Sequence, residues 1–129
     1  MKYQFFTSSE KTWKAMYQSI SEAKKSIYLE MYIFQNDLER FDFIGALAKK
    51  AKSGIDVKLL LDAFGSMNLS EDAITLLKKS GVELKFMSYL LHRTHRKLMI
   101  IDEQIAFIGG VNFHKSSRLW NDLVVKIHG

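Results

Sequence analysis

Apolar residues recur along the first two thirds of the chain with two alternating spacings, one typical of helices and one of strands. The helical segments carry start and stop signals of the usual kinds: a capping box, a capping serine and terminal glycines. We predict three helices: one opened by the capping box Thr7-Ser8-Ser9-Glu10 and running to about Ala23, one from Phe41 to Lys52, and one from Ser70 to about Ser80, ended by Gly81.

Short apolar runs between and after these helices predict strands. They span residues 3–6, 26–34, 55–61, 82–86, 95–101, 105–108 and 123–127. Only Asp102-Glu103-Gln104 separates the runs 95–101 and 105–108, which predicts a hairpin. Strands that alternate with helices before a strand-rich end predict an α/β layered sandwich with a mixed central sheet. The apolar run Leu59-Leu60-Leu61 further predicts that both faces of the sheet are covered.

The composition narrows the class of protein without identifying it. Apolar residues make up 47% and charged residues 26% of the 129 residues, which is typical of one globular domain. The sequence contains no cysteine, so a disulfide framework and thiol chemistry are excluded. No apolar run approaches the roughly 20 residues that span a bilayer as a helix. The net charge of +5 favours anionic partners such as lipid headgroups or nucleic acid.

The strongest chemical signal lies between residues 95 and 112. It reads His95-Arg96-Lys97, then Asp102, then Gly109-Gly110-Val111-Asn112, or H-x-K-x4-D-x6-G-G-x-N. On a strand, residues i and i+2 share one face, so His95 and Lys97 are expected to point the same way, about 6–7 Å apart. This pair suits a phosphate group, because the histidine attacks phosphorus while the lysine holds the oxyanion charge. Gly109 and Gly110 allow close backbone approach, and Asn112 adds a donor.

Some of these residues also fit other roles. Asp102 has the opposite strand parity to the histidine and the lysine and lies at the predicted hairpin turn, so we predict a structural role for it, with turn or ion-pair contacts. Asn112 fits a turn-stabilising role nearly as well as a phosphate contact. Three histidines, His92, His95 and His114, lack the spacing of a closed zinc site, and we predict no metal and no other cofactor.

The pattern resembles the H-K-D signature of the phospholipase D superfamily, with His95, Lys97 and Asp102 as its three named residues. Segments 26–34, 45–62, 80–84 and 120–122 also resemble the superfamily, so the resemblance covers nearly the whole chain. The Gly-Gly-Val-Asn segment looks most like that of bacterial cardiolipin synthases. The resemblance implies a phospholipase D-like sandwich whose active site lies where two units meet, and it implies catalysis without a metal. It also implies that Asp122 contacts the catalytic histidine, the alternative being a plain charge at a sheet edge.

The mechanism implied by the resemblance is phosphodiester transfer through a phosphohistidine, with a second histidine protonating the leaving alcohol. Synthases of the superfamily carry two copies of the motif, whereas residues 1–129 form one domain with one copy. We therefore expect the first half of a two-motif protein, inactive unless paired with a second phospholipase D-like half. The leading hypothesis is a cardiolipin synthase-like phosphatidyltransferase, acting on anionic phospholipid and located in the cytoplasm, peripherally at the inner membrane surface.

Two other functions stay open. A homodimeric single-motif phosphodiesterase or endonuclease acting on nucleic acid also fits the basic charge, since two chains would supply the two histidines. A non-catalytic fragment that serves packing or oligomerisation belongs to a third class. The nuclease would need a self-complementary face near His95, whereas a synthase half would show grooves for lipid chains.

Overall fold

The chain folds around one mixed β-sheet with helices packed against it. The computed structural model describes residues 1–31, 34, 41–63, 66, 69–87, 97–109 and 121–129, with the backbone alone for Asn121 and Asp122. The strands are β1 (Lys2–Ser8), β2 (Ser26–Met31), β3 (Asp56–Asp62), β4 (Glu83–Met87), β5 (Leu98–Ile101), β6 (Ile105–Gly109) and β7 (Asn121–His128). The helices are α1 (Ser9–Glu22), α2 (Phe43–Lys52) and α3 (Glu71–Ser80). Each of them corresponds to a predicted element.

The strands are ordered β1-β7-β6-β5-β2-β3-β4 across the sheet. The strands β2, β3 and β4 run parallel to one another. Every pairing from β2 through β5, β6 and β7 to β1 is antiparallel. A mixed sheet combined with helices confirms the predicted α/β class.

The three described helices cover one face of the sheet. Each helix connects two strands that run in the same direction, and such crossovers are right-handed, which places all three helices on the same side. The helix α2 contacts both α1 and α3. Side chains that face the helices, such as Ile27, Leu29 and Leu59, are buried, whereas Tyr28 and Leu60 on the other face are half-buried. No described element packs on that other face, so the described residues do not supply the cover that was predicted there.

The core lies between the helices and this covered face. Trp13 and Ile20 of α1 and Leu47 of α2 are fully buried in it, together with Leu61 and Phe107 of the sheet. Burial of this apolar surface is the main force that holds the helices on the sheet. Among the described residues, no helix is long and apolar enough to cross a membrane.

Local signals define the helix ends. The Ser8 hydroxyl accepts the backbone N–H of Lys11 at 3.3 Å, so Ser8 caps α1. The prediction that Thr7 begins this capping box is wrong by one residue: β1 stays paired as far as Ser8, and Ser8 is the residue that caps the helix. The start and end of α3 are confirmed, since Ser70 caps its first turn and Gly81 ends it with a φ of 102°.

The predicted hairpin is confirmed as the pair β5 and β6. The N–H of Gln104 donates to the carbonyl of Ile101 at 3.0 Å and closes the turn. The two central residues, Asp102 and Glu103, have φ values of 54° and 57°, as the central residues of a type I′ turn do. Residues 95 and 96, the first two of the predicted strand, lie outside the described residues.

Candidate active site

Three of the predicted site residues lie at one edge of the sheet, which we call the carboxyl edge because β2 and β3 end there. Lys97 immediately precedes β5, Gly109 ends β6, and Asp122 is the second residue of β7. Because β5 and β7 run opposite to β6, the starts of these two strands lie beside its end. The N–H of Gly109 donates to the carbonyl of Lys97 at 3.3 Å. The hairpin pairing therefore continues up to the lysine.

Lys97 lies beside the end of the apolar core. It is half-buried and lines a small pocket with the apolar side chains of Met16, Met31, Phe107 and Val124. A lysine in such surroundings packs its alkyl chain on apolar surface and keeps its ammonium group in water. Within the described part of the chain, no carboxylate forms an ion pair with this ammonium. No described carboxylate therefore neutralises the charge of Lys97 at the carboxyl edge.

Gly109 lies where two backbones come close together. A Cβ atom on this residue would lie 2.8 Å from the Cα of Val124 and would also meet the carbonyl oxygen of Leu123. Only glycine fits this contact between β6 and β7 without displacing a strand. The contact holds the start of β7, and with it the backbone of Asp122, against the hairpin that carries Lys97.

Asp102 lies at the opposite edge of the sheet. Its carboxylate accepts the backbone N–H groups of Lys24 (3.0 Å), Lys25 (2.6 Å) and Ser26 (3.0 Å), which belong to the α1–β2 connection and the start of β2. Its own N–H donates to the carbonyl of Ser26 at 2.8 Å. We call this arrangement the Asp102 clamp. It fastens the β5–β6 turn to the start of β2.

The clamp favours the charged form of the carboxyl. Partial burial acts to raise the pKa of Asp102, but the N–H donors of Ser26, Lys25 and Lys24 and the ammonium of Lys25 act to lower it. The net result is a pKa below the usual value for an aspartate. Asp102 is therefore ionised at neutral pH.

The two ends of β5 are too far apart to bind one phosphate. Asp102 lies five positions after Lys97, and five steps of extended chain span roughly 16 Å. A carboxylate at that distance cannot share a phosphate group with the lysine, and its oxygens are already occupied by backbone N–H groups. These observations support the structural role proposed for Asp102.

The other predicted site residues are less fully described. His95, Gly110 and Asn112 lie outside the described residues, as do His92 and His114. Only the backbone of Asp122 is described, so its predicted contact with the catalytic histidine stays a prediction. Among the described residues, no group of three or more metal-binding side chains converges.

The partners of Asp102 were not predicted from the sequence. They lie 76 to 78 residues away along the chain. A carboxylate that binds backbone N–H groups selects no particular side chain, so residues 24–26 carry no compositional signal of the contact. Strand parity predicts that Asp102 does not contact the phosphate, but it could not identify what Asp102 contacts.

Solved structures with this fold define the class of protein. The structure superposes on NucT from Helicobacter pylori with a TM-score of 0.78 and 22% sequence identity. The match covers 98% of this chain and 85% of NucT. The chain matches Nuc from Salmonella typhimurium, described as a phospholipase D family member, with a TM-score of 0.76, 26% identity and coverage of 98% of this chain and 83% of that one. The fold, with Lys97 of the motif at its carboxyl edge, is that of the phospholipase D superfamily.

Sequence comparison identifies the family more narrowly. The model of the family described as "Cardiolipin synthase, PLD-like domain" matches residues 16–129, and the chain belongs to this family. It is 37% identical to cardiolipin synthase of Clostridium perfringens (strain 13 / Type A) over 91% of this chain and 28% of that protein. It is 32% identical to cardiolipin synthase 1 of Bacillus anthracis over 95% of this chain and 27% of that protein. The predicted resemblance is confirmed, and the chain spans somewhat more than a quarter of the length of these relatives.

Proposed function

We propose that this chain is one unit of a cardiolipin synthase-like phosphatidyltransferase that acts through a phosphohistidine on His95. The observation that carries the proposal is the similarity to cardiolipin synthases over nine tenths of the chain, including the whole H-x-K-x4-D segment. The structure adds a lysine without a carboxylate partner among the described residues, held at the edge where the motif predicts the phosphate.

The first step transfers a phosphatidyl group to the enzyme. An imidazole nitrogen of His95 attacks the phosphorus of one phosphatidylglycerol, so that a P–N bond forms and the P–O bond to glycerol breaks. The histidine of a second unit donates its proton to the leaving glycerol oxygen. Lys97 stabilises the charge on a non-bridging oxygen, as a compact ammonium does well.

The second step regenerates the histidine. The histidine of the second unit, now neutral, takes the proton from the hydroxyl of a second phosphatidylglycerol. The oxygen of that hydroxyl attacks phosphorus, a new P–O bond forms, and the P–N bond to His95 breaks. Two phosphatidylglycerols thus yield one cardiolipin and one glycerol.

This mechanism requires two histidines, and the chain has one copy of the motif. We propose that residues 1–129 form one domain and the first half of a two-motif protein, and that a second phospholipase D-like unit completes the site. The chain alone is then expected to show no turnover. A peripheral position at the inner membrane surface follows from the lipid substrate.

The test uses the chain alone and the longer open reading frame that contains it, each supplied with phosphatidylglycerol vesicles. We expect the longer protein to release cardiolipin and glycerol in equal amounts and to form an acid-labile phosphoenzyme. His95→Ala should abolish both, whereas His128→Ala, at the exposed opposite end of β7, should retain both. A His95→Ala protein that retains turnover would contradict the proposed mechanism.

A homodimeric phosphodiesterase acting on nucleic acid is the second candidate. The net charge of +5 and the similarity to Nuc, of which the chain covers 83%, favour it. This candidate predicts that the 129-residue chain sediments as a tight two-fold dimer and cleaves single-stranded DNA. If the chain cleaves DNA as a dimer and does not act on lipid, the nuclease replaces the leading proposal. If the longer protein has neither activity, the non-catalytic role is the one that stays.

A further inference from the structure

A groove distinct from the carboxyl edge runs along the outer side of α1. We call it the α1 groove and define it by residues of two strands and one helix: Gln4 and Phe6 of β1, Lys11, Lys14 and Gln18 of α1, and Lys126 of β7. Its volume is about 330 Å³, within the range of pockets that hold small ligands. None of these residues belongs to the H-x-K-x4-D motif or to the segment that follows it.

The groove gathers positive charge from two elements. Lys11 and Lys14 are one helical turn apart on the face of α1 that lines the groove, and Lys126 approaches from the sheet. None of the three lysines forms an ion pair with a described residue. Like charges gathered in this way repel one another, so the arrangement favours an anion that would relieve the repulsion.

Lys126 is the one of the three lysines that lies on a paired strand. It lies on β7, which is paired with β1 on one side and β6 on the other. It is half-buried, and its Nζ lies 5.6 Å from the centroid of the Phe107 ring. The contact with this ring explains where the alkyl chain of Lys126 lies, and the face of the ring partly stabilises the ammonium charge. It leaves the ammonium donors without an acceptor among the described residues.

Polar groups beside the lysines complete the lining. Gln4 is the direct cross-strand neighbour of Lys126, and both Gln4 and Gln18 carry amide donors. The described lining contains one carboxylate, Glu22, at the far end of α1, and it accepts a hydrogen bond from Gln18 at 3.1 Å. The middle of the groove is therefore lined by cations and amides above the apolar surface of Phe6.

We propose that the α1 groove binds the phosphate of an anionic phospholipid headgroup, separately from the reacting phosphate at the carboxyl edge. Lysines bind phosphate as point charges, and the amide donors beside them add hydrogen bonds to its oxygens. The choice of a lipid as the source rests on the proposed function. The groove would hold the unit on an anionic membrane while the carboxyl edge carries out the reaction.

The test measures binding without turnover, so that it can fail independently of the proposed function. Lys11→Gln, Lys14→Gln and Lys126→Met are combined in a groove variant, the methionine preserving the contact with Phe107. A control variant combines Lys52→Gln, Lys78→Gln and Lys79→Gln, which are exposed on α2 and α3 and cause the same loss of charge. Thermal melts establish that both variants are folded. Sedimentation with phosphatidylglycerol vesicles then gives the partition coefficient of each.

Each lysine near an anionic surface changes the partition about five-fold, so the groove variant should lose about 100-fold and the control variant far less. Titration with glycerol phosphate, followed by NMR shifts of groove amides, distinguishes the source. Shifts with both ligands show that the phosphate group itself is recognised, and binding to vesicles alone shows that the headgroup must be in its bilayer. Equal losses in the two variants, or no binding of wild type to either ligand, would overturn the proposal. So would groove-dependent binding that is tighter for single-stranded DNA than for vesicles.

Discussion

Opposite charges flank the two ends of β5, and they differ in how many partners they have among the described residues. At the carboxyl edge, Lys97 has no ion-pair partner among the described residues and is surrounded by apolar side chains. At the other end, Asp102 has its carboxylate occupied by three backbone N–H groups. A charge without a partner among the described residues is a candidate for ligand binding, whereas a charge that the backbone satisfies stabilises the fold. Two residues of one sequence motif are thus expected to serve binding and folding separately.

The largest effect is expected from Lys97→Met in the paired, active protein. The methionine keeps the apolar contacts of the alkyl chain but removes the charge that stabilises the phosphate, so turnover should fall about 10³-fold, or about 4 kcal/mol. The melting temperature should stay within about 2 °C of wild type, because no described contact depends on the ammonium. Lys85→Met, at an exposed position of β4, serves as the control and should leave both quantities unchanged. An equal loss in both variants would mean that the effect of Lys97 is not specific.

Gly109→Ala is expected to have the second largest effect, on stability. The new methyl group would overlap the backbone of Leu123 and Val124, and forced overpacking of this kind costs about 3 kcal/mol. Urea unfolding of the 129-residue chain measures the loss. Gly129→Ala is the matched control, since the nearest atom to its Cβ would be the Gln104 oxygen at an ordinary 3.8 Å. A Gly109→Ala chain as stable as the control would show that β7 moves away from β6 without penalty.

Asp102→Asn tests the other end of β5. Asparagine tolerates the positive φ but removes the charge from the clamp, so unfolding free energy at pH 7 should fall by about 1–2 kcal/mol. Turnover per folded molecule should be retained. Glu103→Gln is the control, because this neighbour has no hydrogen bond or ion pair with a described residue. Complete loss of activity at an unchanged melting temperature would contradict the structural role.

The stability that the clamp provides should also depend on pH. Because the folded pKa of Asp102 lies below the unfolded value of about 3.9, the contribution is present above that value and is lost as pH falls through the folded pKa. The difference in unfolding free energy between wild type and Asp102→Asn should therefore be constant from pH 7 to about pH 5 and shrink below about pH 4. Urea titrations at several pH values measure it. A difference that does not change with pH would show that the carboxylate charge is irrelevant.

Glu103→Gly is expected to have the smallest effect, and a stabilising one. Glutamate is strained at a φ of 57°, whereas glycine adopts it freely and is the preferred second central residue of this turn. A gain of about 0.5 kcal/mol is expected after the added flexibility of the unfolded chain is subtracted. Gln104→Gly, next in the chain and without positive φ, should destabilise the protein slightly. A loss of stability with Glu103→Gly would show that the turn is less strained than its φ indicates.

The sequence predicted the elements that depend on local patterns. The hairpin was predicted from two apolar runs around three polar residues, and α3 from a serine and a glycine eleven residues apart. Both succeeded because turn and cap preferences act between near neighbours. The start of α1 was misplaced by one residue, because Thr7 and Ser8 are chemically equivalent caps and the strand pairing decides between them.

The sequence could not predict features that depend on the fold as a whole. Strand parity separated Lys97 from Asp102, but the clamp requires that the β5–β6 turn lie beside residues 24–26, which only the strand order determines. Likewise, no local pattern in the sequence brings Lys11, Lys14 and Lys126 together. Their assembly into one groove depends on the pairing of the first strand with the last.

That pairing has a consequence for synthesis on the ribosome. Among the described strands, β1 pairs only with β7. Its seven residues therefore stay unpaired during synthesis until residues 121–128 have left the exit tunnel. Until then β1 is an edge without a neighbour and carries the exposed side chains of Tyr3 and Phe5. At about 5–20 residues per second, this interval lasts roughly 5–25 s, long enough for unpaired strands to find other chains. We therefore expect chaperones to bind nascent chains chiefly at β1, although this strand lies at the margin of the finished sheet.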